Sequence, residues 1–137
     1  LDLEAEWCKA NNCDQHEGTD NERRALIYAL HNFDALGLTG GILHVEDKIA
    51  AFTFGMPINQ NTFGVHVEKA DTNIDGAYAM INYEFANHIP EQYIYINREE
   101  DLGIEGLRKA KLSYQPAIIL EKYMACLKER PVGAFKW

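Results

Sequence analysis

Three cysteines are present in the 137 residues, irregularly spaced at Cys8, Cys13 and Cys126. They are too few for a disulfide framework, so reduced thiols in a cytoplasmic protein are the expectation. Cys8, Cys13 and His16 form a C-x4-C-x2-H cluster, but a structural zinc site needs four ligands and no metal is expected. Long apolar runs are also lacking: none exceeds about eight residues, against the roughly 20 that span a bilayer. No charged segment followed by an apolar one opens the chain, so no export signal is visible. Basic residues are scarce, 13 Lys and Arg against 21 Asp and Glu, for a formal charge of −8. Such an acidic surface repels polyanions and argues against a non-specific binder of DNA or anionic membranes.

What is present fits one soluble α+β domain covering residues 1–137. Apolar residues make up 47% and charged residues 25%, the balance of an ordinary globular chain. The charge is unevenly spread. Residues 1–68 hold 11 acids and 4 bases, whereas Gly106 to Trp137 holds 7 bases and 2 acids.

The order of elements follows from periodicity. Leu1 to Asn12 reads as a short helix. Thr19-Asp20-Asn21-Glu22 has capping-box spacing, and Leu26, Ala29, Leu30 and Phe33 predict a helix over 21–36 that Gly37 stops. Ile42 to Val45 and Ile49 to Met56 flank a polar turn and predict a hairpin. Thr62 to Lys69 alternates as a third strand, with Phe63, Val65 and Val67 on one face and Gly64, His66 and Glu68 on the other. A helix over 76–88 ends before Pro90, a short strand follows at 93–97, and a further helix is predicted near 104–112. Ala117 to Lys128 reads as a final strand or strands. A helix between the third and fourth strands lets them run parallel by a crossover, so the expected architecture is an αβα sandwich with a mixed sheet.

Ligands favour the carboxyl ends of parallel strands, and two polar clusters fall there. One is His66, Glu68 and Lys69; the other is Asn97-Arg98-Glu99-Glu100-Asp101. Neighbouring strands would bring them face to face. His66 and Glu68, two residues apart, suit a proton-transfer pair; the alternative is a solvated face that merely satisfies its hydrogen bonds. Arg98 among carboxylates suits an anionic substrate group, although an Arg among acids is more often a structural ion-pair hub. Arg108, Lys109 and Lys111 could meet phosphates, or complement a helix dipole. Tyr114 is most simply a core or rim aromatic.

The run from Tyr95-Ile96-Asn97-Arg98-Glu99-Glu100-Asp101-Leu102-Gly103-Ile104 through Ser113-Tyr114 resembles a signature of a bacterial family related to the C-terminal domain of phosphatidylglycerol lysyltransferase. Val65-His66-Val67-Glu68-Lys69-Ala70, followed by Gly76-Ala77-Tyr78, resembles a second block. The resemblance covers about Asn21 to Tyr123 and implies an acyltransferase fold of the Gcn5-related N-acetyltransferase type. It also implies a tandem arrangement in which this chain, beginning at Leu1, is the C-terminal partner of a second acyltransferase-like domain. The implied activity is aminoacyl transfer from aminoacyl-tRNA to a lipid headgroup or similar acceptor, on the cytoplasmic side. In that reading Glu68 or Glu99 deprotonates or orients the acceptor, and Asn97 and Arg98 hold the reacting ester or a phosphate. His66, Lys69, Asp101, Arg108, Lys109, Lys111 and Tyr114 would contribute to substrate binding. Acetyl-CoA-dependent members of that fold carry a glycine-containing pyrophosphate loop, whose place here is taken by Lys69-Ala70-Asp71-Thr72-Asn73-Ile74-Asp75-Gly76-Ala77. Asp71 and Asp75 would repel pyrophosphate, so no acetyl-CoA is expected. Two alternatives stay open, an acyl-CoA-dependent N-acyltransferase with an unusual loop and a non-catalytic ligand- or partner-binding domain.

Overall fold

Glu46 and Asp47, both at positive φ (48° and 64°), form the two-residue turn between β1 (Thr39–Val45) and β2 (Lys48–Pro57). Two successive left-handed residues match the twist of the flanking strands, which is why this connection closes a tight hairpin. A computed structural model describes residues 1–10 and 19–128. The helices are α1 (Asp2–Ala10), α2 (Thr19–His31), α3 (Ala77–His88) and α4 (Glu105–Leu112), and the remaining strands are β3 (Thr62–Ala70) and β4 (Tyr95–Asn97). The sheet order is β1-β2-β3-β4. The first two pairings are antiparallel and the β3–β4 pairing is parallel, as the intervening helix requires.

The chain forms two compact units, divided between Glu100 and Asp101. The first holds the sheet and α1 to α3. Its core lies under α3, where Phe63 and Val65 pack with Phe85 and Ile89, and Ala51 and Ala70 with Ala77 and Ile81. Phe63 meets Phe85 and Tyr93 edge-on, with ring centroids 5.9 and 5.7 Å apart, the geometry favoured by the aromatic quadrupole. The opposite side of the sheet receives the N-terminal helices. There Lys69 lies over the Trp7 ring, 3.6 Å from its centroid, and pairs with Glu22 at 2.8 Å. Glu4, nearly buried, pairs with Arg23 at 3.1 Å and ties α1 to α2. Helices thus flank a mixed sheet, the α+β, acyltransferase-like architecture expected from the pattern.

Several expectations are corrected. Phe63 and Ala70 both pack under α3 although they stand seven positions apart in β3, which strict alternation forbids. The cause is a β-bulge: the register passes from Phe54↔Val67 to Gly55↔Val65, leaving His66 as the extra residue of β3. His66 and Glu68 therefore do not share a face by simple alternation, and Val67 leaves the face of Phe63 and Val65. The second helix ends at His31, six residues before Gly37. A looser turn follows, held by Leu36 N–H to Asn32 and Leu38 N–H to Phe33, and Gly37 at φ 65° closes it.

No strand forms over Ala117 to Lys128, which is exposed and without regular structure. A strand needs a hydrogen-bonding neighbour, and among the described residues none pairs with this segment. Cys8 is disulfide-bonded, against the reduced state expected, while Cys126 is free and exposed. Cys13 and His16 lie outside the described residues, as does the Thr19 side chain of the capping box. Among the described residues no helix is long and apolar enough to cross a membrane.

Candidate active site at the splay of the parallel strands

The parallel pairing is short: Thr62↔Tyr95, Phe63↔Ile96 and Gly64↔Asn97. Past Asn97 the β4 chain turns away, while β3 runs on for six residues. The polar clusters predicted at these two strand ends meet in that opening, all within the first unit. Arg98 Nη2 donates to Glu68 Oε1 at 2.6 Å. His66 Nδ1 and Glu99 Oε1 lie 2.5 Å apart. Consecutive residues after β4 thus reach back to two residues of β3, the bulged His66 and Glu68.

Backbone geometry holds this arrangement. Glu99 sits at φ 56°, a left-handed conformation that is costly for a residue with a Cβ. The Asn97 side chain supports it by accepting the Glu99 backbone N–H at 2.8 Å, an Asx turn. Asn97 therefore acts on the shape of the loop as well as on any ligand. The two pairs differ in environment. The Arg98 and Glu68 side chains are 25% and 11% exposed, so their Coulomb attraction is only partly screened. The His66 and Glu99 side chains, 32% and 36% exposed, face solvent.

Lys69 is not part of this cluster. It turns to the opposite side of the sheet, onto Trp7 and Glu22. Asp101, Arg108, Lys109, Lys111 and Tyr114 belong to the second unit. Within that unit Asp101 accepts from Arg108 Nε at 2.6 Å and Nη2 at 3.3 Å, and from the Gly103 N–H at 2.8 Å. The Arg108 hydrogen bond, followed by that of Gly103, holds the Asp101 carboxyl below its usual pKa. The Arg108 guanidinium is correspondingly raised, first by its hydrogen bond to Asp101. Lys109 and Lys111 stand in the last turn of α4.

The segment after β3 has its own structure. Asp71 accepts the Asn73 backbone N–H at 2.9 Å and its side-chain amide at 3.1 Å. A shallow depression is lined by Leu3, Glu6, Trp7, Ala10 and Asp71 to Asn73. Glu6 and Asp71 are the acidic residues of its lining. Nearby, Tyr78 has a raised pKa, mainly because of burial. Sequence reasoning missed the bulge and the left-handed Glu99, which are the features that set the His66–Glu99 pair. The close Gly55–Gly64 approach was the one available signal, since both glycines flank the bulge.

A four-stranded mixed sheet with helices on both faces is an α+β, acyltransferase-like fold. The sequence matches the family described as "Phosphatidylglycerol lysyltransferase, C-terminal" over residues 1–126, and the chain belongs to that family. It is similar to a crystal structure of a conserved protein of unknown function from Bacteroides thetaiotaomicron VPI-5482, with 90% identity and a TM-score of 0.88. The match covers 93% of this chain and 43% of that one, so the chain spans less than half the length of that relative. No protein of curated function matches it.

Proposed function

We propose that this domain catalyses aminoacyl transfer from aminoacyl-tRNA to an amine or hydroxyl acceptor such as a lipid headgroup. It would do so on a Gcn5-related N-acetyltransferase-like scaffold, as one of two acyltransferase-like domains of a longer protein. The reaction belongs on the cytoplasmic side, where charged tRNA is made. The observation that carries this reading is the pair of contacts across the β3–β4 splay, Arg98 to Glu68 and Glu99 to His66. They fix a cation, a carboxylate and an imidazole on a scaffold from a family of group-transfer domains.

Positioning and electrostatics would carry the chemistry. Arg98, oriented by Glu68, would hold the ester or an adjacent phosphate. Asn97 would keep the loop in its turn and Glu99 at the acceptor side. Lys109 and Lys111 would attract tRNA phosphate, and Arg108 is held by Asp101. The acidic wall formed by Glu6 and Asp71 supports a donor other than acetyl-CoA.

The test is transfer of labelled amino acid from total charged tRNA into acceptors of a bacterial extract, using the full-length protein. Label appearing in a lipid or small-molecule fraction, and lost in the Arg98→Lys variant, supports the proposal. Transfer from labelled acyl-CoA alone, or no transfer from either donor, overturns it.

A further inference from the structure

Four features converge on His66. It is the unpaired extra residue of the bulge in β3, and bulges commonly re-aim a side chain beside a functional site. Its Nδ1 meets a carboxylate that arrives from the neighbouring strand at 2.5 Å. That carboxylate is carried by Glu99 in a left-handed conformation, pinned by the Asn97 side chain; unfavourable backbone geometry of this kind persists where the surroundings enforce it. Finally, Gly64 stands beside the ring, with the Ile58 side chain over the same spot, 2.8 Å from where a Gly64 Cβ would lie. A Cβ at Gly64 would stand 3.5 Å from His66 Cε1, the carbon between the two ring nitrogens.

An ionised carboxylate only accepts hydrogen bonds, so the proton between His66 and Glu99 belongs to Nδ1. In the neutral ring this leaves the lone pair on Nε2. Glu68, the other carboxylate at the splay, is already engaged by the Arg98 guanidinium at 2.6 Å.

We propose that His66 Nε2 is the proton acceptor of the transfer reaction and that Glu99 is a positioning residue that fixes the tautomer and orientation of the ring. This rests on the group-transfer reading above. The acceptor enters as a neutral amine or a hydroxyl. Its nitrogen or oxygen bonds to the carbonyl carbon of the aminoacyl ester while its proton passes to Nε2. Collapse of the tetrahedral carbon breaks the ester C–O bond, and the same proton moves from Nε2 to the departing ribose oxygen. One bond forms, one breaks, and the imidazole returns neutral.

The experiment uses the full-length protein in two arms. In the first, nitrogen-15 histidine spectra read the His66 tautomer above neutral pH. A protonated Nδ1 supports the proposal, and a protonated Nε2 overturns it without touching the group-transfer reading. In the second, kcat and KM are measured with charged tRNA. His66→Ala is expected to lower kcat by about 100-fold or more at little change in KM, with partial rescue by added imidazole. Glu99→Gln is expected to cost about tenfold or more, yet to add nothing in the His66→Ala background, as for groups acting as one unit. His66→Gln serves as a second variant if His66→Ala fails to fold. Wild-type transfer with full activity in the His66 variants overturns the proposal alone. A protonated Nδ1 in a protein that transfers nothing from charged tRNA overturns the group-transfer reading and this proposal with it.

Discussion

Arg98 and Glu68 form the least exposed ion pair at the splay, 2.6 Å apart with side chains 25% and 11% exposed. Their sequence separation of 30 residues means that the pair ties the turn after β4 to the free end of β3. Removing the guanidinium leaves a carboxylate in a nearly dry setting. Arg98→Met is therefore expected to destabilise the fold by about 2 kcal/mol, below the 3–5 typical of a fully buried pair. Arg98→Lys should recover only part of this, because an ammonium lacks the planar fork. Urea unfolding of the three proteins reads the differences directly.

Glu99 offers a test of backbone strain separate from chemistry. At φ 56° a β-branched side chain is strongly disfavoured, whereas glycine is at home. Glu99→Val should lose about 1–2 kcal/mol in stability. Glu99→Gly should stay within about 0.5 kcal/mol of wild type, since relief of strain offsets the extra freedom of the unfolded glycine. Equal losses in both variants would mean that the left-handed turn contributes nothing.

Asp101 and Arg108 set a pH dependence in the second unit. The folded Asp101 binds its proton less tightly than in the unfolded chain, chiefly because Arg108 hydrogen-bonds to it. The stabilisation is therefore full above the ordinary Asp pKa and is lost as pH falls through the lowered folded value. A carbon-13 titration of the Asp101 carboxyl should show a midpoint below the usual range. Arg108→Gln should move it upward, and added salt should shrink the difference, because the pair is exposed.

The hairpin, the parallel pair and α3 were legible because each has a local cause: turn residues between apolar runs, a crossover helix, apolar positions at helical spacing. Meeting of the two polar clusters was legible too, since it needs only that β3 and β4 be neighbours. The face of His66 was not. A single inserted residue inverts alternation without altering composition, and Thr62 to Lys69 reads as an unbroken strand in either case. Lys69, next to Glu68 in the strand, lies on the opposite face and packs on Trp7 rather than at the splay. Ala117 to Lys128 is β-prone by content, but propensity expresses itself only against a neighbouring strand, and the segment stays exposed.

Gly55 is where the bulge depends on the absence of a side chain. A Cβ at Gly55 would fall 1.9 Å from the Gly64 carbonyl oxygen and 2.8 Å from its carbon. Both are backbone atoms of β3, so relief requires the strands to separate beside His66. At Gly64 the nearest atoms are instead the side-chain end of Ile58, at 2.8 and 2.9 Å, which can rotate away. Gly55→Ala is thus expected to cost about 3 kcal/mol or more and Gly64→Ala about 1 kcal/mol. Urea midpoints separate the two. Nitrogen-15 spectra of His66 then show whether opening the strands at Gly55 releases the ring from Glu99. A Gly55→Ala protein as stable as wild type, with an unchanged His66 signal, would mean that the tight crossing does not hold the bulge in place.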